Sequence, residues 1–452
     1  MQFELTKEYL AEIREAVAAS NEQRLIELIA DVHAADLAEI IDAVETDQAY
    51  YILQYVEAEK ASEAVAHLDE DERKELLKVY TSAEIAENFI ENLESDDAAD
   101  LIQDLPEDQK ESVIAQIDDI DQAGQIVDLL NYEEGTAGAI MGKELVKVNE
   151  NLTVTESVRQ LRKQAEDIEN VYTIYVVDDK DRLLGRLSLK KVLVTSPRSK
   201  IGEIYQAGIK QVKTTTDQEE VANVMQKYDL VALPVVDEIG RLVGRITIDD
   251  VVDVIREEAE KDYQLASGLS EDVESTDSVW MLTRARLPWL LLGMLGGVLG
   301  AMVIQLYEHD LIKHAEMAFF IPLVAAMGGN VGVQSSAIIV QGLANNSLGM
   351  GSMASKLMKE FGVALLNGLV CSVLLLIYNI FLSGSSLTLT YTVSSALMVV
   401  ILFAALFGTF VPLVLDRYKV DPALATGPFI TTMNDILGLF IYFGIGQYLY
   451  SL

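Results

Sequence analysis

The stretch DPALATGPFITTMNDILGLFIYF, Asp421 to Phe443, decides how the chain is to be read. It opens the last of several hydrophobic segments and carries a carboxylate, Asp435, ten residues beyond Ala425. At about 1.5 Å per helical residue, that depth is about 15 Å into a hydrocarbon core of about 30 Å. A carboxylate at mid-membrane is costly unless water, a cation or a partner faces it, so an acid here marks a functional site. The competing reading makes Asp435 packing glue, hydrogen bonded to Asn434, Thr431 or a neighbouring helix.

Working outward from this stretch, five hydrophobic segments occupy approximately residues 287–306, 317–341, 360–383, 393–415 and 425–449. Each reaches the roughly 20 residues that a spanning helix needs. Arg284 and Arg286 precede the first, Lys356 and Lys359 lie between the second and third, and Arg417 and Lys419 lie between the fourth and fifth. The alternate loops lack such an excess, so the large amino-terminal part is expected in the cytoplasm and the carboxyl end outside. The second segment holds PLVAAMGGNVGVQSS, Pro322 to Ser336, where Gly328, Gly329 and Gly332 permit close backbone approach and Asn330 and Gln334 need partners. Alone it reads as a packing seam. Beside Asp435 it offers carbonyls and amides to whatever the anion attracts.

The formal net charge of −37 has one source. From Arg284 onward seven basic residues balance seven acidic ones, whereas the first 283 residues hold 27 basic and 64 acidic groups. Such self-repulsion argues against nucleic acid or anionic lipid headgroups as partners and favours cations. The lone cysteine, Cys371, and four scattered histidines build neither a disulfide framework nor a zinc site. The amino-terminal MQFELTKEYLAEIREAV is charged and amphipathic, unlike a secretory signal.

Residues 1–131 read as successive amphipathic helices. A degenerate unit recurs as EIIDAVETDQ from Glu39, EAVAHLDEDE from Glu63 and DLIQDLPEDQ from Asp100, at irregular spacing. This predicts a short curved, superhelical stack of helical hairpins. Its acidic turns read either as a rim that meets another domain or as solvated helix ends. A clearer repeat follows: VVDDKDRLLGRLSLKKV (Val176 to Val192) and VVDEIGRLVGRITIDDV (Val235 to Val251) align without gaps at an offset of 59. Each reads as strand, turn, strand and helix start. The pair resembles tandem CBS domains, small α/β modules that bind regulatory ligands in a cleft. In that family a Thr or Ser and a following Asp commonly hold a nucleotide's ribose and phosphate. The second copy keeps Thr247 and Asp250, while the first has Ser188 but Lys190 and Lys191 where the acid would fall. The lysines could meet phosphates, so ATP or another adenine nucleotide is expected as a secondary, regulatory ligand only.

Beyond the second copy, Asp250, Asp253, Glu257 and Glu260 share one helix face, with Glu258 and Asp262 in a neighbouring row. Like charges at this spacing call for a positive partner, or for full solvation as a linker. Residues 264–280 form a polar bridge to the membrane part.

The order of acidic helical domain, CBS pair, acidic helix and five spans resembles the MgtE family of magnesium channels and transporters over essentially the whole chain. GGNVGVQS resembles its second-span signature and DPALATGPFITTMND its last-span signature, whose pore aspartate falls on Asp435. Gln341 stands where many relatives carry Arg, and Lys261 interrupts an acidic row that close relatives keep. The resemblance implies a multidomain membrane protein: an α-helical superhelical N domain (1–131), tandem α/β CBS domains (132–255), a connecting (plug) helix and linker (256–283) and a five-helix transmembrane domain (284–452). It implies a homodimer in the cell (inner) membrane, with Mg2+ as substrate and regulator and the pore on the two-fold axis. Asn330, Gly328, Thr431 and Asn434 are expected to line that pore with Asp435. The expected cytosolic sensor comprises Asp96, Asp97, Asp100, Glu219, Asp229, Asp250, Asp253, Glu257, Glu258 and Asp262. Magnesium suits hard oxygen ligands and keeps its waters, although such sites separate it poorly from Mn2+ and Co2+. No phosphate-binding Gly-rich loop with Lys and Ser/Thr indicates ATP hydrolysis, and no catalytic constellation indicates an enzyme. A nucleotide-responsive CBS scaffold would explain the repeat but not Asp435.

Overall fold

The computed structural model describes residues 4–166, 168, 170–270, 273, 278–344, 352–384, 386–425 and 427–451. The chain forms two compact units, residues 1–256 and 257–452. In the first, ten short helices, α1 to α10, run between Lys7 and Leu129. The recurring acidic unit corresponds to the third, fifth and eighth of them, Ala34–Asp42, Ala58–Ala66 and Ser95–Gln103 (α8). Each presents an apolar stripe inward: Leu37, Ile40 and Ile41, then Ala61, Ala64 and Val65, then Ala98, Leu101 and Ile102 are buried. The acidic residues are left outside or at helix starts, where the helix dipole favours them.

The two copies of the 59-residue repeat fold alike. In the first, β1 (Val146–Asn149) runs parallel to β2 (Ile174–Val177), which pairs antiparallel with β3 (Leu183–Leu187), and β3 with the short β4 (Gln206–Ala207). In the second, β5 (Val212–Lys213), β6 (Ala232–Val236) and β7 (Leu242–Thr247) repeat that order. A bulge falls at Val176/Val177 in one sheet and at Val235/Val236 in the other, the same place in the repeat.

The hairpin turns explain the conserved register within the chain. Asp178 accepts hydrogen bonds from the backbone N–H groups of Lys180 and Arg182 and from Arg182 Nε, at 2.8, 2.9 and 2.8 Å. Asp237 does the same for Ile239, Arg241 and Arg241 Nε, at 3.0, 2.8 and 2.7 Å. The fourth turn position is left-handed in both, Asp181 at φ 58° and Gly240 at φ 84°, and these residue types tolerate it. The two turns pair reciprocally, Leu183 N–H to Gly240 O and Leu242 N–H to Asp181 O, both 3.0 Å.

Helices α11 (Val154–Gln164), α12 (Leu189–Val194), α13 (Gln218–Tyr228) and α14 (Ile248–Ser267) complete the modules. The first module has its own apolar core. The second shares a core with the helical domain, and residues Ala137 and Gly138 hydrogen bond to Thr216 O and Thr214 O at 2.7 and 2.9 Å. The second module runs into the acidic helix: α14 starts inside the module, where Val251 and Val254 are buried, and continues to Ser267. Of the polar bridge after it, residues 271, 272 and 274–277 lie outside the described residues.

In the second unit five helical stretches are long and apolar enough to span a membrane: Val279–Leu306 (α15), Ala315–Ala344, Met353–Ser383, Leu387–Arg417 (α19) and Gly427–Ser451 (α20). A short α16 (Glu308–Lys313) follows α15, and α17 (Ile321–Ala344) and α18 (Met353–Tyr378) are the regular parts of the second and third spans. Close contacts set the packing of α17, α19 and α20. A Cβ on Gly408 of α19 would collide with the Gly332 carbonyl of α17, and one on Gly332 would collide with the Asn434 amide of α20. A residue with a side chain at Gly408 therefore forces two helix backbones apart. Overpacking of this kind costs about 1–3 kcal/mol, so Gly408→Val is expected to lower the thermal midpoint of the detergent-solubilised protein by several degrees. Gly362→Ala, which meets open space, is expected to leave it unchanged in the same assay.

Candidate metal centres and the intramembrane carboxylate

The densest group of acids sits where α8 meets the second module. Ligand oxygens of Glu94, Asp96 and Glu144 all lie within 4.8 Å of one another. Glu94 precedes α8, Asp96 occupies its first turn, and Glu144 reaches back to it, accepting from Ser95 N–H at 3.0 Å and Ser95 Oγ at 2.9 Å. The buried Arg245 of β7 donates to both Glu94 oxygens, at 3.1 and 3.0 Å, and to Asn170 O at 3.1 Å. Room for the carboxylates depends on Gly142, whose missing Cβ would stand 2.8 Å from Asp96 Oδ2 and 3.1 Å from Glu144 Oε2.

Asp250 closes the group from α14. Its Oδ2 accepts from Thr247 N–H at 2.7 Å and Thr247 Oγ1 at 2.9 Å. Burial, then the charges of Asp250 and Asp97, pushes Asp96 well above the usual carboxylate range. Burial and then Asp250 push Asp97 up to about 7. Burial raises Asp250 against the opposing hydrogen bonds from Thr247, and raises Glu94 against the pull of Arg245. Arg245, with Arg73 acting on Asp97, offsets only part of the charge of these carboxylates, and hard oxygen ligands gathered in this way suit a divalent cation.

The expected sensor residues divide accordingly. Asp96 and Asp250 come together with Asp97 at the exposed edge of the group, while Asp100 on α8, Glu219 on α13 and Asp229 at the left-handed cap of α13 are exposed. Asp253 and Glu257 are likewise exposed on α14. Glu94, Glu144 and Arg245 are additions that no local pattern marked.

The two nucleotide clefts also differ. In the second, Thr247 and Asp250 are engaged with each other beside the acids. In the first, a cavity of about 500 Å3 is lined by residues including Tyr172, Arg186, Ser188, Lys191, Tyr205 and Gln206. Ser188 Oγ accepts from Lys191 N–H at 3.2 Å. Lys190 is exposed beside it and is not among the lining residues.

In the second unit, the end of α14 is seated on the start of α20. A Cβ on Gly268 would stand 2.7 Å from Pro428 Cγ, and one on Gly427 would strike the Ala266 carbonyl. Ser270 N–H and Oγ both donate to Ala285 O of α15, at 3.0 and 2.9 Å. Burial, followed by the charges of Asp421 and Glu258, raises Asp262 above its ordinary range, with Lys261 opposing. Lys261 lies 3.5 Å from Glu258. Asp421, whose Oδ1 accepts from Ala423 N–H at 2.8 Å, is a further acid here that sequence reasoning passed over.

Asp435 is half-buried on α20, and a Cβ on Gly329 of α17 would approach its Oδ1 to 3.8 Å. Thr431, one turn earlier, is half-buried and donates to Gly427 O at 3.0 Å. Gly328 is buried against Val400 and Asn434. Asn434 is 1 % exposed and faces α17 rather than open space, so within one subunit it belongs to a packing seam. Asn330 and Gln334, one turn apart on α17, are both exposed. A second acid, Glu360 of α18, accepts from Ser335 Oγ at 2.7 Å.

Five apolar spans with a half-buried carboxylate, joined to an acidic cytosol-type assembly with a CBS pair, define a membrane protein that handles divalent cations. Residues 321–445 match the family model for divalent cation transporters, residues 32–135 that for the MgtE intracellular N domain, and residues 137–196 and 201–257 that for CBS domains. The chain is 36 % identical over 443 residues to "Magnesium transporter MgtE" of Thermus thermophilus, covering 97 % of each. It is 36 % identical over 317 residues to the protein of that name from Bacillus subtilis, covering 70 % of each. Among solved structures, one described as the cytosolic domain of the Mg2+ channel MgtE in complex with ATP superposes with a TM-score of 0.51 at 39 % identity, covering 54 % of this chain and 99 % of that one. The chain belongs to the MgtE family of magnesium transporters, and it is not an enzyme.

The acids at α8 titrate unusually, and this sets a pH dependence. Carboxyls raised above the unfolded value of about 3.9 hold more protons folded than unfolded, so metal-free stability falls as pH rises toward and through about 7. A cation must displace those protons. Mg2+ binding to the full-length protein, followed by calorimetry, is therefore expected to tighten several-fold between pH 6 and pH 8. Gly142→Ala should push Asp96 out of the group and weaken this binding at least several-fold while the circular dichroism spectrum is retained.

Proposed function

We propose that the chain is a Mg2+ channel that works as a homodimer, imports Mg2+ down its electrochemical gradient and is closed by Mg2+ on its cytosolic side. The observation that carries this reading is Asp435, a half-buried carboxylate within a spanning helix, lying against the glycine face of α17. One such acid per subunit is a poor site for a hydrated divalent ion. Two, from copies facing each other, supply the charge while leaving the ion's waters to bridge to carbonyls and hydroxyls.

Two further features favour a second copy. Asn330 and Gln334 expose a row of amides on a spanning helix, where lipid offers no hydrogen-bond partner. In the CBS pair, Leu189, Leu193 and Val194 of α12 and Ile248, Val252 and Ile255 of α14 are large, apolar and exposed. Leu189 and Leu193 fall at the places in the repeat that Ile248 and Val252 hold in the second module, as a two-fold contact between CBS pairs requires.

Regulation follows from the charge balance. With Mg2+ bound among Glu94, Asp96, Glu144 and Asp250, the helical domain and second module are drawn together. Without it, the uncompensated carboxylates repel. The ion thereby favours one arrangement by its differential affinity, which is what a switch requires. Asp262, Glu258 and Asp421 offer a second acidic group, at the start of the pore helix itself. The distribution of Lys and Arg supports placing residues 1–283 in the cytoplasm and the carboxyl terminus outside. An adenine nucleotide is a second regulator, as the ATP-bound relative suggests; the cleft of the first module is its site, since Thr247 and Asp250 of the second are committed elsewhere.

In liposomes loaded with a Mg2+ indicator, Asp435→Ala is expected to abolish uptake while the dimer persists on size-exclusion chromatography. Wild-type-like flux from that variant would remove Asp435 from the pore. Chelating Mg2+ from the full-length protein should accelerate proteolysis within residues 1–263 several-fold, and unchanged digestion would sink the cytosolic sensor.

A further inference from the structure

The first-module cavity is chemically out of keeping with its surroundings. The first 283 residues carry 64 acidic groups against 27 basic ones, yet the described residues lining this cleft include Arg186 and Lys191 and no carboxylate. Arg186 is held in place by a hydrogen bond from its Nε to Gln206 Oε1 at 3.3 Å. Tyr172 and Tyr205 supply aromatic wall, and Ile174, Leu187 and Ile204 supply apolar wall. At about 500 Å3 the space is of the size that takes a nucleotide.

We infer that this cleft takes a nucleoside triphosphate in its metal-free, fully ionised form and rejects the magnesium complex, so that its occupancy rises as cytosolic Mg2+ falls. The inference rests on the nucleotide reading above and specifies which ionic form is bound. A magnesium ion on a triphosphate occupies phosphate oxygens and cancels two of its charges. A carboxylate-lined cleft accommodates that complex by adding oxygen ligands to the metal. A guanidinium and an ammonium do the reverse: they need those same oxygens and repel the metal. Lys191 stands where a CBS cleft commonly places an aspartate against the ribose hydroxyls, so the sugar is left unread. Placed in a protein whose other acids bind Mg2+ directly, such a cleft senses the same ion through its complement, the uncomplexed triphosphate.

The test uses the full-length protein in detergent with a chelator present, so that the cytosolic acids hold no Mg2+. Calorimetry compares ATP, dATP and the exchange-inert tetraammine-cobalt(III) complex of ATP, which mimics the magnesium form without free metal. ATP is expected to bind at least tenfold more tightly than the cobalt complex, and dATP within about twofold of ATP. Lys191→Asp, at an exposed position, should reduce the preference for the metal-free form at least fivefold and make ATP bind more tightly than dATP. Equal binding of ATP and the cobalt complex by the unaltered protein overturns the inference and leaves the nucleotide site standing. No binding of ATP in any form overturns both.

Discussion

Carboxylates held closer together than their own charges permit are the constraint on which the cytosolic unit depends. Glu94, Asp96, Glu144 and Asp250 are gathered by local structure: a helix start, the Ser95 hydrogen bonds and the Thr247 turn. Arg245 offsets part of the repulsion by facing Glu94. The remainder leaves the assembly poised, with apolar burial between the helical domain and second module pulling inward and charge pushing outward. Hydrophobic contact is insensitive to millimolar ions, whereas the electrostatic part responds directly to them. A shared core with an acidic seam is therefore a physical basis for a response to a small cation.

The membrane unit solves the opposite problem. There, a charge has to be kept where the solvent offers it nothing. Glycines at 328, 329, 332 and 408 bring three helix backbones close enough to bury Asn434 in the seam and to hold Asp435 against α17. Adjacent residues on α20, about 100° apart in helical rotation, thus meet α17 at two glycines, Asn434 at Gly332 and Asp435 at Gly329.

Much of this was legible in the sequence because it is periodic. The 59-residue offset anticipated two equal modules, down to a turn whose aspartate gathers the same three donors in each copy. Hydrophobic length located the five spans found among the described residues. What escaped was assembled from afar. Glu94 and Arg245 are 151 positions apart, and Gly142 matters only because two carboxylates from different segments need its space. The same limit applied to Asn434, whose neighbour in sequence is not its neighbour in role.

The seat of α14 on α20 has a mechanical consequence. Gly268 against Pro428 and Gly427 against the Ala266 carbonyl leave no space for a side chain on either side. The contact is made by backbone and a proline ring, groups that have no side-chain rotamers to rearrange. A side chain added at 268 or 427 would therefore part the end of α14 from the start of the helix that carries Asp435.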